Sequence, residues 1–401
     1  QKLGIEKSFL YKLVPVVGEI MKSYYPEVLE QKDYIAKVVE SEESRFNETL
    51  NDGVHLLDQI IAKTKAANET KISGANAFKL FDTYGFPFDL TMEYAHDEGL
   101  EVDQDGFKTE MQQQKQRARA ARGNRVTMGV QSDLLTNIKT PSRYVGYSEL
   151  NVEHSVLKDI IQNEKIVSAA EKGEAQLIFD ITPFYAEMGG QVADKGTITD
   201  EHGNVVAEVK DVQHAPNGQN LHTVKVLRPL ETEKTYALKV DPHFHSKVEK
   251  NHTATHLLDQ ALRDVFGSHT KQAGSLVEPD YLRFDFTHFG QVTSADLQKV
   301  EGIVNQKIFA EIPVKTVETD IESAKKLGAI ALFSEKYGKK VRVVSVGDYS
   351  VEFCGGDHVK NTNELGLFKI VSESGVGAGV RRIEAVTSAE AYEYLVSHDK
   401  L

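Results

Sequence analysis

Two short histidine-bearing segments, far apart in the chain, supply the residue types that bind a transition metal. The first is HTATH, with His252 and His256 four residues apart, and the second is CGGDH, with Cys354 and His358. Cys354 is the sole cysteine among 401 residues, so it cannot form a disulfide within the chain. Thiolate and imidazole are preferred ligands of zinc, and helical residues four apart lie on one face. We therefore predict that these four side chains hold one ion, with zinc favoured over other metals.

Each of these segments also has an ordinary explanation. Histidines four residues apart occur on many helices without a ligand, and a solitary cysteine is most often inert packing in a protein core. The metal interpretation therefore depends on the coincidence of both segments, with the only cysteine in the second. If that coincidence is accidental, the alternative is a metal-free chain whose long amphipathic helix serves as a protein-interaction scaffold.

The residue types alone leave two kinds of metal site open. If all four side chains bind, the site is closed and structural; if one position is free, the ion can polarise a water or a substrate group. Ligands on distant elements, rather than on short knuckles about 12–20 residues apart, favour the open kind. Gln272 is expected near the end of the helix that carries His256, where its amide could face a ligand. A glutamine there is otherwise an ordinary exposed residue.

The first third of the chain is predicted to be helical. Apolar side chains recur at three- and four-residue steps across residues 35–61, which is typical of an amphipathic helix, and Pro26 suits its first turn. A second helix is predicted from about residue 75 to the Gly-Phe-Pro sequence at 85–87, and a third ends near residue 122. These patterns indicate an α-helical N-terminal domain, which we assign to residues 1–137.

A period of two in the apolar residues begins near residue 165. Strands are predicted at 176–181, 196–199 and 205–209, with a turn at 202–204. Short strands punctuated by Gly and Asn favour a small β-barrel or a sandwich. We assign a small β-barrel to residues 138–240.

Helices and strands alternate in the remainder of the chain. After the histidine-bearing helix, the pattern predicts a strand at 282–286, a helix at 294–309 and strands at 341–346 and 368–371. This is an α+β domain, assigned to residues 241–387 and containing the zinc site. Residues 388–401 are expected to begin a C-terminal linker helix, so the predicted fold class is multidomain.

Charge and composition narrow the class of protein. A net charge of −13 argues against a nucleic-acid binder with a broad basic face. The densest run of cations includes Arg117, Arg119 and Arg122, and its ordinary explanation is a solvated helix end. No apolar run approaches the roughly 18 residues that a membrane helix needs, and no signal-peptide pattern opens the chain. A single cysteine favours a cytoplasmic location, and a first residue other than Met favours a piece of a longer protein.

Several motifs, in order along the chain, resemble the bacterial alanyl-tRNA synthetase family. The segments that resemble its editing domain are HTATH, QAGSLV at 272–277, LRFDF at 282–286, CGGDH and GVRRIEAVT at 379–387. PFYAEMGGQ at 183–191 resembles its glycine-rich barrel motif, and AFKLFDTYGFP at 77–87 resembles its helical tRNA-recognition segment. The resemblance extends from Phe9 into the 380s and implies an internal piece of such a synthetase.

The resemblance implies a zinc-dependent editing hydrolase. Zinc would be held by His252, His256, Cys354 and His358, and Gln272 and Cys354 are the implied catalytic residues, with Gln272 in the pocket. The implied substrates are tRNA-Ala mischarged with serine or glycine. A synthetase pocket for alanine discriminates such small differences only by roughly 10–200-fold, so a second, hydrolytic site is needed.

The resemblance also implies tRNA binding by the helical third. Asp82 corresponds to the aspartate that helps the family to read a G·U pair in the acceptor stem, and Arg117, Arg119 and Arg122 are predicted to contact the tRNA. Without the resemblance, a solvated helix residue would be the ordinary interpretation of Asp82. The alternative function is a tRNA-binding module in which zinc is structural and nothing is hydrolysed.

Some positions depart from the family pattern. The usual CGGTH is CGGDH here, and Asp357, as a loop residue that is not a ligand, is expected to matter little. AESGGQ has become AEMGGQ, and the usual VTG ends as VTS. No segment resembles the class II motifs that bind ATP and Mg²⁺ and activate alanine, so aminoacylation is not expected of this piece. The C-terminal domain through which the parent enzyme oligomerises is also expected to lie outside it.

Overall fold

The computed structural model describes residues 7–121, 133–330, 340–377 and 379–398, with the side chains of 116–121 and 133 excepted. Two compact units make up the chain, Gln1–Arg125 and Val126–Leu401. The second unit contains both the barrel and the α+β part. Among the described residues, no helix combines the length and apolar character that crossing a membrane requires.

The first unit is helical. After a 3₁₀ turn at Leu10–Leu13, its elements are α1 (Val14–Met21), α2 (Pro26–Glu30), α3 (Lys32–Ala66), β1 (Lys71–Ile72), α4 (Gly74–Tyr84), α5 (Phe88–Asp97), β2 (Glu101–Val102) and α6 (Gln104–Ala121). The two short strands pair in parallel. Helix α4 begins where the Ser73 side chain accepts the amide of Asn76 and ends at Gly85, whose φ of 62° suits glycine.

The core of this unit forms where α3 meets α4 and α5. Leu57, Ile60, Leu80 and Phe86 are buried together. Phe86 packs directly on the backbone of Gly53, where an added Cβ would overlap the ring. The apolar stripe predicted across residues 35–61 therefore lies on one helix, and its C-terminal part is the part that is buried in this core.

Two details of the first unit differ from the sequence prediction. Pro26 begins the separate short helix α2, and α3 starts at Lys32, after the chain turns at Gln31. Helix α5 is not predicted from the sequence, because Pro87 has the pattern of a stop signal after Gly85. Pro87 is instead the N-cap of α5, a position in which its missing amide hydrogen has no helical partner to lose.

The second unit begins with a closed antiparallel barrel. Its elements are α7 (Asp133–Asn137), β3 (Arg143–Tyr144), β4 (Asn151–Gln162), β5 (Lys165–Val167), β6 (Ala169–Ala170), β7 (Gly173–Phe179), β8 (Ile181–Thr182), β9 (Gly196–Thr199), β10 (Val205–His214), β11 (Asn220–Val226), β12 (Leu230–Glu231) and β13 (Thr235–Val240). Six strands close in the order β13-β9-β10-β11-β7-β4, because β13 also pairs with β4. The predicted small β-barrel is thus confirmed, and a sandwich is excluded.

The short helix before the barrel belongs to the second unit. Leu135 and Ile138 are buried against Ile161, Ile178 and Leu221 on the barrel strands. The structural boundary between the two units, after Arg125, therefore precedes the boundary at residue 137 that the sequence suggested. No sequence pattern indicated to which domain this segment belongs, whereas its apolar contacts attach it to the barrel.

The rest of the second unit is an α+β arrangement. Its elements are α8 (Pro242–Phe266), β14 (Gln272–Val277), β15 (Leu282–Thr287), α9 (Ser294–Phe309), β16 (Val314–Asp320), α10 (Ile321–Lys326), β17 (Lys340–Val346), β18 (Ser350–Phe353), β19 (Phe368–Gly377), β20 (Val380–Thr387) and α11 (Ser388–His398). One antiparallel sheet has the order β14-β15-β20-β19, and a second has the order β16-β17-β18.

Helix α8 lies at the centre of this part. Asp241 accepts the amides of His243 and Phe244 at its start, and Pro242 occupies the first turn. Leu257, Leu258 and Ala261 on α8 are buried with apolar residues of β15 and α9. The helix ends at Phe266 because Gly267, with a φ of 102°, leaves the helical conformation.

Candidate metal centre

Helix α8 and the loop after β18 bring four metal-ligating side chains together. His252 and His256 lie one turn apart on the buried face of α8, and Cys354 and His358 follow β18. One ligand atom from each of the four lies within 4.8 Å of the others. The Sγ of Cys354 is 3.4 Å from Nε2 of His252 and 3.4 Å from Nε2 of His358.

The spacing and chemistry of these donors fit a tetrahedral zinc ion. Zinc bonds of about 2.1 Å to nitrogen and about 2.3 Å to sulfur place tetrahedral ligand atoms about 3.5 Å apart. The two sulfur–nitrogen distances of 3.4 Å agree with that separation. Three imidazoles and a thiolate are also a donor set that zinc accepts.

Hydrogen bonds orient two of the histidines. Nδ1 of His252 is 2.7 Å from Oε1 of Gln191, an atom that can only accept, so Nδ1 carries the hydrogen. Nδ1 of His358 is 3.0 Å from the hydroxyl of Thr253, which donates its own hydrogen to the carbonyl of Glu249. Both histidines therefore keep an unprotonated Nε2, the atom that faces Cys354.

Burial keeps the same two imidazoles neutral. It lowers the pKa of His252 to about 4. Burial also lowers the pKa of His358 well below its usual range, and the neighbouring His252 and His256 add to this effect. Since a metal binds the neutral imidazole, neither side chain has to lose a ring proton near pH 7 before it can act as a ligand.

The third histidine lies near two carboxyl groups, those of Glu352 and Asp259. Nδ1 of His256 has no hydrogen-bond partner among the described residues, but it is 3.6 Å from Oε1 of Glu352. Burial raises the pKa of Glu352, whose Oε1 accepts a hydrogen bond from the hydroxyl of Ser350. Burial likewise raises the pKa of Asp259 to about 6, although Arg263 donates to that carboxyl at 2.7 Å.

A small cavity of about 50 Å³ opens beside the ligands. Its polar wall includes Gln272 and Ser275 from β14, and its other walls come from the barrel, α8, β15 and the segment 352–356. The lining residues are Tyr185, Met188, Gly189, His252, Thr255, His256, Asp259, Gln272, Ser275, Phe284, Glu352, Phe353, Cys354, Gly355 and Gly356. A volume of this size holds on the order of four water-sized groups. Only a small substrate group fits there.

Gln272 opens strand β14 and does not lie at the end of the histidine-bearing helix, which stops at Phe266. Its Nε2 donates to the hydroxyl of Ser275 at 3.1 Å, and that hydroxyl donates to the carbonyl of Gly189 at 3.4 Å. The amide of Gln272 therefore faces the cavity from a strand. Gly267, which ends the helix, is the sequence signal that places Gln272 outside it.

Side chains from two elements fix the loop that carries Cys354. The hydroxyl of Tyr147 donates to the carbonyl of Gly355 at 2.6 Å, and Arg342 on β17 donates to the carbonyls of Cys354 and Gly356. The guanidinium of Arg342 also lies 4.2 Å from the centre of the Tyr147 ring. At Gly356, an added Cβ would overlap the imidazole of His252, so close packing requires glycine.

Asp357 is buried beside the site and hydrogen-bonded to barrel residues, which the sequence did not indicate. The residue is 3% exposed, and its carboxylate accepts hydrogen bonds from Nε2 of Gln191 at 2.8 Å and from the hydroxyl of Tyr144 at 3.1 Å. The sequence placed it in a loop, where exposure is the usual state. Barrel residues cover that loop, and no local pattern indicates this contact.

A buried ion pair adjoins Asp357. Nδ1 of His245 is 2.9 Å from Oδ1 of Asp194, and ligand atoms of these two residues and Asp357 lie within 4.8 Å of one another. Burial alone would lower the pKa of His245, but hydrogen bonds to Asp194 and Glu249 outweigh it and raise the pKa to about 10. Because Asp194 also accepts the amide of Tyr185, we interpret this group as a structural ion pair.

The residues predicted to contact tRNA lie in the first unit or outside the described residues. Asp82 is exposed on α4, and its Oδ1 accepts a hydrogen bond from Nε2 of Gln114 at 2.5 Å. The side chains of Arg117 and Arg119, and the whole of Arg122, lie outside the described residues.

Comparisons with known proteins cover the whole chain. Residues 1–244 match the family "tRNA synthetases class II (A)", and residues 341–384, which include Cys354 and His358, match the "Threonyl and Alanyl tRNA synthetase second additional domain". The chain is 70% identical over 401 residues to an alanine–tRNA ligase of Levilactobacillus brevis and 66% identical over 401 residues to one of Pediococcus pentosaceus. Each alignment covers 100% of this chain and 46% of the relative, so the chain spans about half the length of these relatives.

Proposed function

The chain belongs to the alanyl-tRNA synthetase family, and we propose that its second unit hydrolyses mischarged tRNA at a zinc centre while its first unit binds tRNA. The observation that carries this proposal is the convergence of His252, His256, Cys354 and His358 beside a small cavity. A zinc-containing editing domain is the interpretation that this donor set and the match of residues 341–384 support.

The proposed substrates are tRNA-Ala carrying serine or glycine. An amino-acid pocket built for alanine cannot exclude the smaller glycine and discriminates weakly against serine, which adds one hydroxyl. A hydrolytic site that accepts such residues needs only a small chamber, and the cavity of about 50 Å³ is of that kind. The amide of Gln272 and the hydroxyl of Ser275 on its wall offer hydrogen bonds to the aminoacyl group.

The residues of this chain would have distinct tasks in the hydrolysis. When bound, zinc supplies Lewis-acid polarisation of a water or of the ester carbonyl. The zinc ligands would hold the ion with one position open to the water or the ester carbonyl, Gln272 orients the aminoacyl group, and Tyr185 and Met188 line the barrel side of the cavity. Oε1 of Glu352 lies 3.6 Å from Nδ1 of His256, which is beyond hydrogen-bond distance, and we assign this carboxyl group as the partner that favours a hydrogen on Nδ1 and leaves the other ring nitrogen for the ion.

We propose that Asp82, Arg117, Arg119 and Arg122 bind the tRNA. A short exposed carboxylate can accept a hydrogen bond from the minor-groove amino group of guanine, the donor that distinguishes this base in RNA. Attachment of alanine to tRNA with ATP and Mg²⁺, oligomerisation and a cytoplasmic location are proposals for the full-length synthetase.

Deacylation of purified seryl-tRNA-Ala tests the proposal. The zinc-loaded chain is expected to release serine faster than the uncatalysed reaction and to leave alanyl-tRNA-Ala largely intact. Cys354→Ala should remove both zinc and activity, whereas His202→Ala, at an exposed turn, should remove neither. A chain that holds zinc and binds the tRNA but leaves the ester intact would favour the structural-zinc binding module instead.

A further inference from the structure

Gln191 extends from the glycine-rich barrel loop to a ligand of the proposed zinc ion. It is 0% exposed. Its Oε1 accepts two hydrogen bonds, one from Nδ1 of His252 at 2.7 Å and one from the backbone amide of Asp357 at 2.8 Å. Its Nε2 donates to Oδ2 of Asp357 at 2.8 Å. One side chain thus connects the barrel, helix α8 and the loop that carries Cys354 and His358.

We propose that Gln191 and Asp357 are positioning residues of the metal centre, and that through them the barrel determines the orientation and tautomer of His252. This inference rests on the proposed zinc centre and adds two residues that do not touch the ion. It makes the barrel a structural part of a site whose four ligands all belong to the α+β part.

The amide of Gln191 has one satisfactory orientation. If the amide were flipped, its NH₂ group would face two donors, Nδ1–H of His252 and the amide of Asp357, while its oxygen would face a carboxylate. Asp357 is itself fixed, because its other oxygen accepts the hydroxyl of Tyr144 at 3.1 Å. The carboxylate therefore orients the amide, and the amide orients the imidazole.

The surroundings leave His252 little freedom to find another orientation. Gly356 lies so close that an added Cβ would overlap the imidazole. In many metal sites a carboxylate directly orients a metal-bound histidine. Here the carboxylate of Asp357 acts on His252 in the same way, but through the amide of Gln191. Loss of such a partner typically weakens metal binding by about 10- to 100-fold, because part of the binding free energy is then needed to orient the ligand.

Gln191→Ala tests the inference against a matched control, Gln219→Ala. Gln219 is also a buried barrel glutamine, but its amide donates to the carbonyl of Ile138 rather than to the metal centre. Zinc affinity is measured by competition with a chromogenic chelator, and the coordination sphere by the visible spectrum of the cobalt(II)-substituted protein. We expect about 10- to 100-fold weaker zinc binding and an altered cobalt spectrum for Gln191→Ala alone.

Moving the negative charge from position 357 to position 191 distinguishes a positioning role of these two side chains from a general packing role. Gln191→Glu should weaken zinc binding, because it places a second carboxylate against Asp357. The double variant Gln191→Glu/Asp357→Asn should recover it, since the introduced glutamate accepts both hydrogen bonds of the original Oε1 and the introduced asparagine donates to its other oxygen. This pair of variants decides the matter even if Gln191→Ala fails to fold.

The outcomes separate this inference from the function on which it rests. Wild-type zinc affinity and cobalt spectrum in folded Gln191→Ala, or a double variant no better than Gln191→Glu, would overturn the positioning role alone. A wild-type chain that binds neither zinc nor cobalt would overturn the zinc centre together with it.

Discussion

The hydroxyl of Thr253 lies 3.0 Å from Nδ1 of His358. The same oxygen donates to the carbonyl of Glu249 one turn earlier on α8 and accepts the amide of Val359 at 3.2 Å. Thr253 thus joins the helix that carries two of the proposed ligands to the segment that carries the other two. Because its only hydrogen is used within α8, it acts as an acceptor toward His358 and holds that imidazole with Nε2 free.

Thr253→Val is expected to weaken zinc binding by about tenfold or more, because the isosteric side chain leaves the Nδ1–H of His358 buried without an acceptor. Thr253→Ser, which keeps the hydroxyl, should bind zinc nearly as the wild type does. The matched control is Thr64→Val, since Thr64 makes the same bond to a carbonyl one turn earlier, in the first unit. Competition with a chelator measures all three, and equal affinity of Thr253→Val and wild type would contradict the role.

Removal of zinc is expected to abolish deacylation without unfolding the protein. The apolar core formed by α8, β15 and α9 contains Leu257, Phe284 and Val300 but none of the four ligands. Chelation should therefore lower the melting temperature, because bound metal stabilises only the folded state, while far-UV circular dichroism stays unchanged. Loss of the cooperative thermal transition on chelation would instead indicate a closed, structural metal site.

The free energy of unfolding of the barrel is expected to decrease as the pH is lowered below about 6.5. His222 is fully buried, with Nε2 2.7 Å from the hydroxyl of Thr182 and Nδ1 3.0 Å from the carbonyl of Leu177. Burial lowers its pKa to about 4, so between pH 6.5 and 4 the unfolded chain binds a proton that the native state does not. This contribution is complete above pH 6.5 and decreases by about 2 kcal/mol at pH 5.

Urea unfolding at pH 7.5 and pH 5, followed by tyrosine fluorescence, measures this effect. In His222→Gln the corresponding part of the pH dependence should be absent. The control is His202→Gln, which removes an exposed histidine from a turn. An equal decrease in the free energy of unfolding for wild type and His222→Gln would show that another group causes it.

Residue types and local spacing are sufficient to predict which four side chains could bind a metal. A four-residue step slightly exceeds one helical turn of about 3.6 residues, so His252 and His256 share a face whatever surrounds the helix. The barrel is predictable for a similar reason, because alternation along β7, β9 and β10 is a local property of each strand. These features depend on neighbours in sequence.

The support for the ligands is not predictable in this way. Gln191 and Asp357 are separated by 166 positions, and their hydrogen bonds exist only because the barrel packs over the loop. An aspartate in a glycine-rich loop has the sequence pattern of an exposed residue, so burial at 3% has no local signal. The position of Gln272, by contrast, has a local signal. Gly267 ends α8, so Gln272 lies beyond the helix and is free to begin a strand.

Asp82→Asn is expected to reduce the preference of the chain for tRNA-Ala over a variant tRNA that lacks the acceptor-stem G·U pair. The carboxylate accepts hydrogen bonds only, whereas the introduced amide also presents a donor to the guanine amino group; weakening such a base-specific hydrogen bond costs about 1–3 kcal/mol of discrimination. The control is Asp105→Asn, an exposed carboxylate on α6 that carries the same charge. Filter binding with both tRNAs measures the ratio, and an unchanged ratio would remove Asp82 from the interface.

Replacement of Arg117, Arg119 and Arg122 by alanine is expected to weaken tRNA binding and to make it less dependent on salt. Each cation that neutralises a phosphate releases counterions, so the slope of log K against log salt should decrease by about 0.7–0.9 for each phosphate that is no longer neutralised. The control replaces Lys32, Lys37 and Lys63, three exposed cations of α3, and removes the same charge from the same unit. Because the whole chain carries a net charge of −13, a general loss of attraction would affect both triple variants equally. A flatter salt dependence in the arginine variant alone would assign the phosphate-binding role to this run, and equal slopes would return it to the solvated surface.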